Sequence, residues 1–148
     1  MRLYLDTSVF GGYFDEEFAE STIKLFQEIE KGEHYIVISS AVKEELELAP
    51  PKVAGLLAKI PESRIVEVKS NRDVLLLSKK YIDSKVISDK FEMDGLHVAV
   101  ATIYHVDVIV SWNFKHLVNL NRIRGFNSVN LQMGYRTIDI RTPKEIIK

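Results

Sequence analysis

Four short apolar runs divide this chain, and longer segments with helical spacing separate them. The runs are residues 3–5, 35–38, 65–68 and 108–110, and a weaker run lies at residues 137–140. Strands that alternate with helices predict a parallel sheet covered on both faces, which is a three-layer α/β/α fold. No internal repeat, low-complexity tract or linker interrupts the alternation, so we expect one domain over residues 1–148.

The segments between the apolar runs have apolar residues three and four positions apart, as amphipathic helices do. The predicted helices cover residues 16–31, a stretch that begins at Ser40, and residues 52–60, 71–84, 92–105 and 114–121. The segment 92–105 is apolar almost all round, so we expect it to lie buried on the flank of the sheet. Gly, Asn and Ser punctuate the chain from Gly125 onward and predict an irregular segment before the last strand.

Composition excludes several classes of protein. The 148 residues are 46% hydrophobic, which is enough for a substantial core, and the absence of cysteine excludes a disulfide framework, a zinc ribbon and thiol catalysis. The N-terminus does not resemble a signal peptide, and no apolar stretch approaches the roughly 20 residues that span a membrane. We therefore expect a cytoplasmic protein without membrane contact.

Charge is distributed unevenly along the chain. Residues 1–112 contain 13 Lys and Arg against 19 Asp and Glu, whereas residues 113–148 contain 7 against 2. This asymmetry suits an acidic metal pocket beside a surface for phosphate groups. A solvated basic tail explains it equally well.

Polar side chains follow three of the predicted strands. In chain order they are Asp6, then Ser39 and Ser40 before Glu45, and finally Ser111 before Asn113. Ligands of open α/β sheets bind beyond the carboxyl ends of the strands, so these residues are expected at one crevice. Asp94 lies in the first turn of the helix over residues 92–105, where the helix dipole favours a negative charge.

Three carboxylates, those of Asp6, Glu45 and Asp94, can therefore meet at one edge of the sheet. Carboxylates packed together raise each other's pKa unless a cation neutralises them, and hard oxygen ligands suit Mg²⁺ or Mn²⁺. An ion held in this way can activate a water and neutralise charge on a phosphodiester. The pattern predicts metal-dependent phosphoryl chemistry.

Each acid also has a simpler explanation. Asp6 can cap the helix that follows it, Glu45 can belong to a solvated helix face, and Asp94 can simply complement the helix dipole. Gly95 makes the last explanation weaker, because a glycine beside the carboxylate permits close approach by another group. We expect His97, three residues after Asp94, to pack or cap rather than to bind metal, and Trp112 to belong to the core.

Four segments, taken in order, resemble the motifs of PIN-domain proteins, the ribonuclease fold of VapC-type toxins. That family has a strand ending in Asp near a Ser or Thr, an acid followed by Leu or Ile, a helix start like Asp-Ala-Leu-His, and an Asp shortly before a Phe. The matching segments here are residues 3–8, Glu45-Leu46, residues 94–101 and residues 111–114, with Glu44 as the alternative register for the second acid. The match extends to residue 116, and residues 125–135 resemble one PIN subgroup.

The resemblance implies a Mg²⁺- or Mn²⁺-dependent endoribonuclease whose metal and catalytic residues are Asp6, Glu45, Asp94 and Asn113. It also implies RNA as substrate and, for a toxin, a homodimer with a small antitoxin protein as partner. The departure is Asn113, which stands where the family has an acid and offers a neutral carbonyl oxygen. With less negative charge, the site would bind one ion firmly instead of two.

The same substitution leaves a second interpretation open, a catalytically weakened PIN-like module that binds RNA or a protein partner. Three further residues are candidates for substrate contact. Ser8 follows the first acid, and Lys115 and His116 follow Asn113 at a position suited to phosphate contacts. A hydroxyl at a helix start is an equally good explanation of Ser8.

Overall fold

The computed structural model describes residues 1–148 and contains one sheet of five parallel strands. In the sheet the strand order is β3-β2-β1-β4-β5, so the first strand lies in the centre. The strands are β1 (Arg2–Leu5), β2 (Tyr35–Ser39), β3 (Ile65–Val68), β4 (Val108–Val110) and β5 (Asp139–Arg141). This arrangement confirms the predicted α/β fold with a central parallel sheet.

Eight α-helices cover the sheet. They are α1 (Thr7–Gly12), α2 (Ala19–Glu30), α3 (Ser40–Glu47), α4 (Pro51–Ala54), α5 (Arg72–Asp83), α6 (Glu92–Ile103), α7 (Leu120–Gln132) and α8 (Pro143–Ile146). Short 3-10 helices at Gly55–Lys59, Glu62–Arg64 and Asp89–Phe91 complete the connections. The segment predicted as one helix over residues 52–60 is thus α4 followed by a 3-10 helix.

The strand order determines where a ligand crevice forms. The chain moves from β1 to β2 and β3 on one side, and then crosses to β4 and β5 on the other. Right-handed crossovers therefore place α5, α6 and α7 on one face and α1 to α4 on the opposite face. The direction reverses between β1 and β4, so the crevice lies beyond the carboxyl ends of these two strands.

The central strand is buried on both faces. Leu3, Tyr4 and Leu5 have no exposed surface, and they belong to a core of 34 buried hydrophobic residues. Parallel strands with helices on both faces need such continuous apolar runs. β3 lies at an edge and is more exposed, as its interrupted apolar run predicts.

Two predicted elements near the C-terminus are wrong. Residues 114–121 were expected to be helical, but residues 114–117 form a turn and α7 starts only at Leu120, where the side chain of Asn119 accepts a hydrogen bond from the Arg122 N–H. The segment from Gly125 was expected to be irregular, yet it continues this helix. Asn127 is a weak helix former, but its side chain is hydrogen-bonded to both the N–H and the C=O of Ile138. These tertiary contacts stabilise the helix at this position.

None of the helices has the length and apolar character that crossing a membrane requires.

Candidate active site

Asp6 lies where β1 meets α1, at the crevice. It occupies the N-cap position of α1, but its side chain makes no capping hydrogen bond. Instead its Oδ2 accepts hydrogen bonds from the hydroxyls of Ser8 at 2.7 Å and Ser111 at 2.9 Å. The Asp6 residue is only 6% exposed, and Oδ1 has no hydrogen-bond donor. The two hydroxyls therefore orient this carboxylate and leave one oxygen available.

Glu45 reaches the same place from α3. Its Oε2 accepts from the hydroxyl of Thr7 at 3.0 Å, and its Oε1 lies 2.6 Å from Nε2 of His97. Glu44 is exposed, which favours Glu45 as the acid of this segment. Ser39 caps α3 by accepting a hydrogen bond from the Val42 N–H, and this cap fixes the start of the helix that carries Glu45.

His97 joins the buried core to the carboxylates. Its Nε2 lies 3.9 Å from Oδ1 of Asp6, and its Nδ1 lies 2.5 Å from the hydroxyl of Tyr4, which also contacts Ser39 at 2.8 Å. Because a carboxylate only accepts hydrogen bonds, Nε2 donates to Glu45. The network tolerates a neutral or a protonated ring, since the Tyr4 hydroxyl can donate to Nδ1 or accept from it.

Charges around His97 change the pKa of both partners. Burial lowers the pKa of His97, but the hydrogen bond to Glu45 and the charge of Asp6 outweigh burial and raise it above its usual value. Burial raises the pKa of Glu45, while the hydrogen bonds from His97 and Thr7 bring it below its usual value. The two shifts have the directions expected of a histidine and a carboxylate that share a short hydrogen bond.

Asp94 lies in the first turn of α6 and has little support from the protein. Its Oδ1 is 3.4 Å from the amide nitrogen of Asn113, and no Lys or Arg pairs with it. Burial and the negative charge of Asp6 raise the pKa of Asp94, and the nearby His116 reduces that effect only in part. A carboxyl with a raised pKa and few partners at a crevice is a typical candidate for function.

Asn113 has a defined orientation. Its carbonyl oxygen accepts a hydrogen bond from the backbone N–H of His116 at 3.0 Å, and its amide nitrogen therefore faces Asp94. Since a backbone N–H only donates, it favours this orientation over the flipped one. The role of Asn113 as a neutral oxygen ligand stays a prediction, and in this orientation its amide supports Asp94 instead.

The carboxylates of Asp6, Glu45 and Asp94 come together without a Lys or Arg partner. Their charges act on one another, because those of Asp6 and Glu45 both raise the pKa of Asp94. Hard oxygen donors in this number suit Mg²⁺ or Mn²⁺. Their oxygens do not all lie within 4.8 Å of one another, so binding of one ion by all three needs a side-chain movement.

A tighter acidic group lies elsewhere. Ligand atoms of Glu28, Glu33 and His34 lie within 4.8 Å of one another. The group already has partners within the protein, because the Lys148 ammonium is 3.1 Å from Glu33, the Lys148 backbone N–H donates to Glu28, and His34 is hydrogen-bonded to Glu28. The cluster is therefore a structural ion-pair network.

The three candidates for substrate contact, Ser8, Lys115 and His116, differ in their exposure and in their contacts. Ser8 donates to Asp6 and accepts from the Trp112 N–H, so it links the ends of β1 and β4. His116 is buried, and its ring packs at a tilt against Phe91 with 3.9 Å between ring centroids. Its Nδ1 has no hydrogen-bond partner. Lys115 is exposed, with its ammonium 5.8 Å from the centre of the Phe91 ring.

Three residues of the site were missed or undervalued in the sequence. His97 was expected to pack or cap, and it does pack, but it also holds Glu45; its spacing of three from Asp94 places both on one helix face, which is a usable signal. Tyr4 belongs to an apolar run, so nothing in the pattern reveals its hydroxyl. Ser111 was noted as a strand end, while its bond to Asp6 depends on β4 being next to β1.

No family model and no curated protein sequence matches the chain. Its fold is similar to a chain in the crystal structure of VapBC2 from Rickettsia felis bound to a DNA fragment from their promoter, with a TM-score of 0.55 and 17% sequence identity. The likeness covers 95% of this chain and 98% of that chain. At this identity it shows a common fold.

Proposed function

We propose that the chain is a single-domain, Mg²⁺- or Mn²⁺-dependent endoribonuclease of the PIN family, acting in the cytoplasm. The observation that carries this proposal is the meeting of Asp6, Glu45 and Asp94 at the switch point of a parallel sheet with no Lys or Arg to neutralise them. The likeness to a VapBC2 chain supports the family assignment, and the four motifs in order support it independently.

In this proposal, three carboxylates hold the metal ion and three polar side chains keep two of these carboxylates in position. Oδ1 of Asp6 and the carboxylates of Asp94 and Glu45 would hold the ion. When bound, the ion would lower the pKa of a water and neutralise charge developing on the scissile phosphodiester. Ser8 and Ser111 keep Asp6 in position, and the Asn113 amide restrains Asp94.

His97 holds Glu45 from the side of the core. Outer partners of this kind fix the orientation of a metal-binding group and raise its affinity. The buried Tyr4 hydroxyl fixes the ring of His97 in turn, so a continuous chain of hydrogen bonds runs from Ser39 to Glu45.

We further propose that the protein is the toxin of a toxin–antitoxin pair. It would then form a homodimer and bind a small antitoxin protein. The fold likeness to VapBC2 supports this form. Size-exclusion chromatography with light scattering would test the dimer, which a monomer at all concentrations would contradict.

A second candidate is a PIN-like module that binds RNA or a protein without cleaving RNA. Asn113 favours it, because this residue adds no negative charge and its oxygen is engaged by the His116 N–H. A cleavage assay on mixed RNAs with Mg²⁺ or Mn²⁺, comparing the wild type with Asp94→Asn, separates the two. The nuclease predicts cleavage that is lost in the variant; equal cleavage by both proteins, or none by either, refutes it.

A further inference from the structure

A basic cleft lies beside the candidate active site and has no role in the proposed chemistry. It has a volume of about 500 Å³ and lies where the end of α5 meets the start of α7. Three cationic side chains and three uncharged polar ones line it: Lys85, Lys115, Arg122, Ser84, Asn119 and Asn121. No acidic residue lines this cleft, so its electrostatic potential favours an anion.

The three cations come from separate segments and none of them is neutralised. No salt bridge involves Lys85, Lys115 or Arg122. Two other cations near the C-terminus do form ion pairs: Arg141 contacts Asp139 and Glu145, and Lys148 contacts Glu33. The cleft therefore brings three unpaired cations together without an acidic neighbour in its lining. The adjoining, smaller hollow includes Asp89 but shares Lys85 and Arg122.

Lys85 occupies a backbone position that normally belongs to glycine. It follows the C-cap of α5 with φ of 60°, and the bonds Lys85 N–H to Ile82 O and Val86 N–H to Tyr81 O form a Schellman motif. A side chain in this left-handed conformation strains the backbone, and Gly would remove the strain.

Close packing fixes the cleft wall. The guanidinium of Arg122 donates a hydrogen bond to the carbonyl of Val86, directly after Lys85. A Cβ atom on Gly125 would lie 2.8 Å from Val86 Cγ1, so the glycine allows α7 to approach this wall closely. Arg122 and Lys85 are thereby held on opposite elements of one cleft.

The cleft and the carboxylates are connected through one short segment. Lys115 lies two residues after Asn113, and its ammonium lies over the Phe91 ring that stacks on His116. The His116 N–H is bonded to Asn113, whose amide faces Asp94. A polyanion bound in the cleft can therefore extend past Lys115 toward Asp94.

We propose that this cleft binds the phosphates that flank the scissile phosphate of a single-stranded RNA, with Lys85, Lys115 and Arg122 as the contacts. The inference rests on the proposed nuclease function for the identity of the strand. A single strand fits because its flexible backbone can turn from the cleft toward the recessed Asp6, whereas a duplex is stiff. Backbone contacts of this type give affinity with little sequence preference.

Fluorescence anisotropy of a labelled single-stranded RNA of about 12 nucleotides tests the proposal, because this length suits single-strand binding sites. EDTA is present so that the strand stays intact. The variants are Lys85→Gly, Lys115→Ala and Lys85→Gly combined with Lys115→Ala. Lys79→Ala is the charge-matched control, since Lys79 is exposed, unpaired and outside the cleft.

Each lost contact is expected to reduce the slope of log affinity against log salt by about 0.7, the value for single strands. The double variant should bind about tenfold more weakly, while Lys79→Ala binds like the wild type. Lys85→Gly should retain or raise the melting temperature, because glycine relieves the backbone strain. Weaker binding by a better-folded protein cannot be a folding defect.

Unchanged RNA affinity and salt slope in the double variant would overturn the proposal. Equal or stronger binding of duplex RNA of the same length would overturn the assignment to a single strand. The result is independent of the nuclease test, which is made with Mg²⁺ or Mn²⁺ and reads cleavage. If RNA binds through the cleft but is not cleaved, the nuclease proposal is refuted and the RNA-binding role of the cleft is retained.

Discussion

Tyr4→Phe is a sharp test of the link between the core and the candidate metal site. The substitution removes one hydroxyl from a residue with no exposed surface, so neither metal nor RNA can contact the changed atom. It breaks the bonds to His97 and Ser39 at 2.5 Å and 2.8 Å, and leaves Nδ1 of His97 buried without a partner. His97 then loses the contact that fixes the ring against Glu45.

The expected cost follows from these contacts. Leaving a buried polar group unpaired costs about 1–3 kcal/mol of unfolding free energy. Loss of an outer partner typically weakens metal binding by roughly 10- to 100-fold. Tyr4 contacts Glu45 only through His97, so we expect lower stability in urea unfolding together with Mn²⁺ binding that is weaker by up to about tenfold in a calorimetric titration.

Tyr81→Phe is the matched control. Tyr81 is also fully buried, and its hydroxyl donates to Asn130, which bonds Thr102 and none of the carboxylates. It should lose a similar amount of stability, about 1–3 kcal/mol, and bind Mn²⁺ like the wild type. If Tyr4→Phe and Tyr81→Phe bind Mn²⁺ equally well, the role of the Tyr4–His97 network in supporting the site is refuted.

Three other substitutions have defined outcomes. Gly12→Ala should lower the free energy of unfolding in urea by about 1–3 kcal/mol, because its Cβ would lie 2.7 Å from the Trp112 ring. Gly11→Ala is the control and should not lower stability, because its Cβ would meet nothing within 4 Å; equal effects of the two substitutions would contradict this prediction. Asn113→Asp should add a second Mn²⁺ in a titration, and an unchanged stoichiometry would count against a fourth ligand position. Because the pKa of Asp94 is raised in the fold, its ionisation destabilises the metal-free protein. Urea unfolding in EDTA should therefore show the wild type losing stability relative to Asp94→Asn as the pH rises above about 4, the pKa of an unfolded Asp; a constant difference would contradict the shift.

The sequence predicts the sheet well because apolar runs and their period depend on local residues. The bounds of β3 and β4 agree with the predicted strands, and the ends of β1 and β4 lie at the crevice as expected. The C-terminal helix was misplaced because Asn119, which the prediction put inside a helix, is the N-cap that begins one, and because Asn127, a weak helix former, makes a tertiary contact. Tertiary contacts override local propensity here.

For the site, the acids could be predicted but not their partners. A strand end or helix start shows where a carboxylate lies, as for Asp6 and Asp94. The Tyr4 hydroxyl meets His97 only because α6 packs on β1, and Ser111 meets Asp6 only because β4 lies beside β1; the sequence alone orders neither contact. The conformation of Lys85 was likewise hidden, since its neighbours contain no glycine signal.

A titration of Mn²⁺ into the wild type, Asp6→Asn, Asp94→Asn and Glu44→Gln tests the central claim most directly, because one shared site must lose affinity with either ligand. Glu44 is exposed beside Glu45 and serves as the charge-matched control. We expect tight binding by the wild type and Glu44→Gln, and at least about tenfold weaker binding by each of the other two. Binding that survives in either Asp6→Asn or Asp94→Asn would contradict a common metal site.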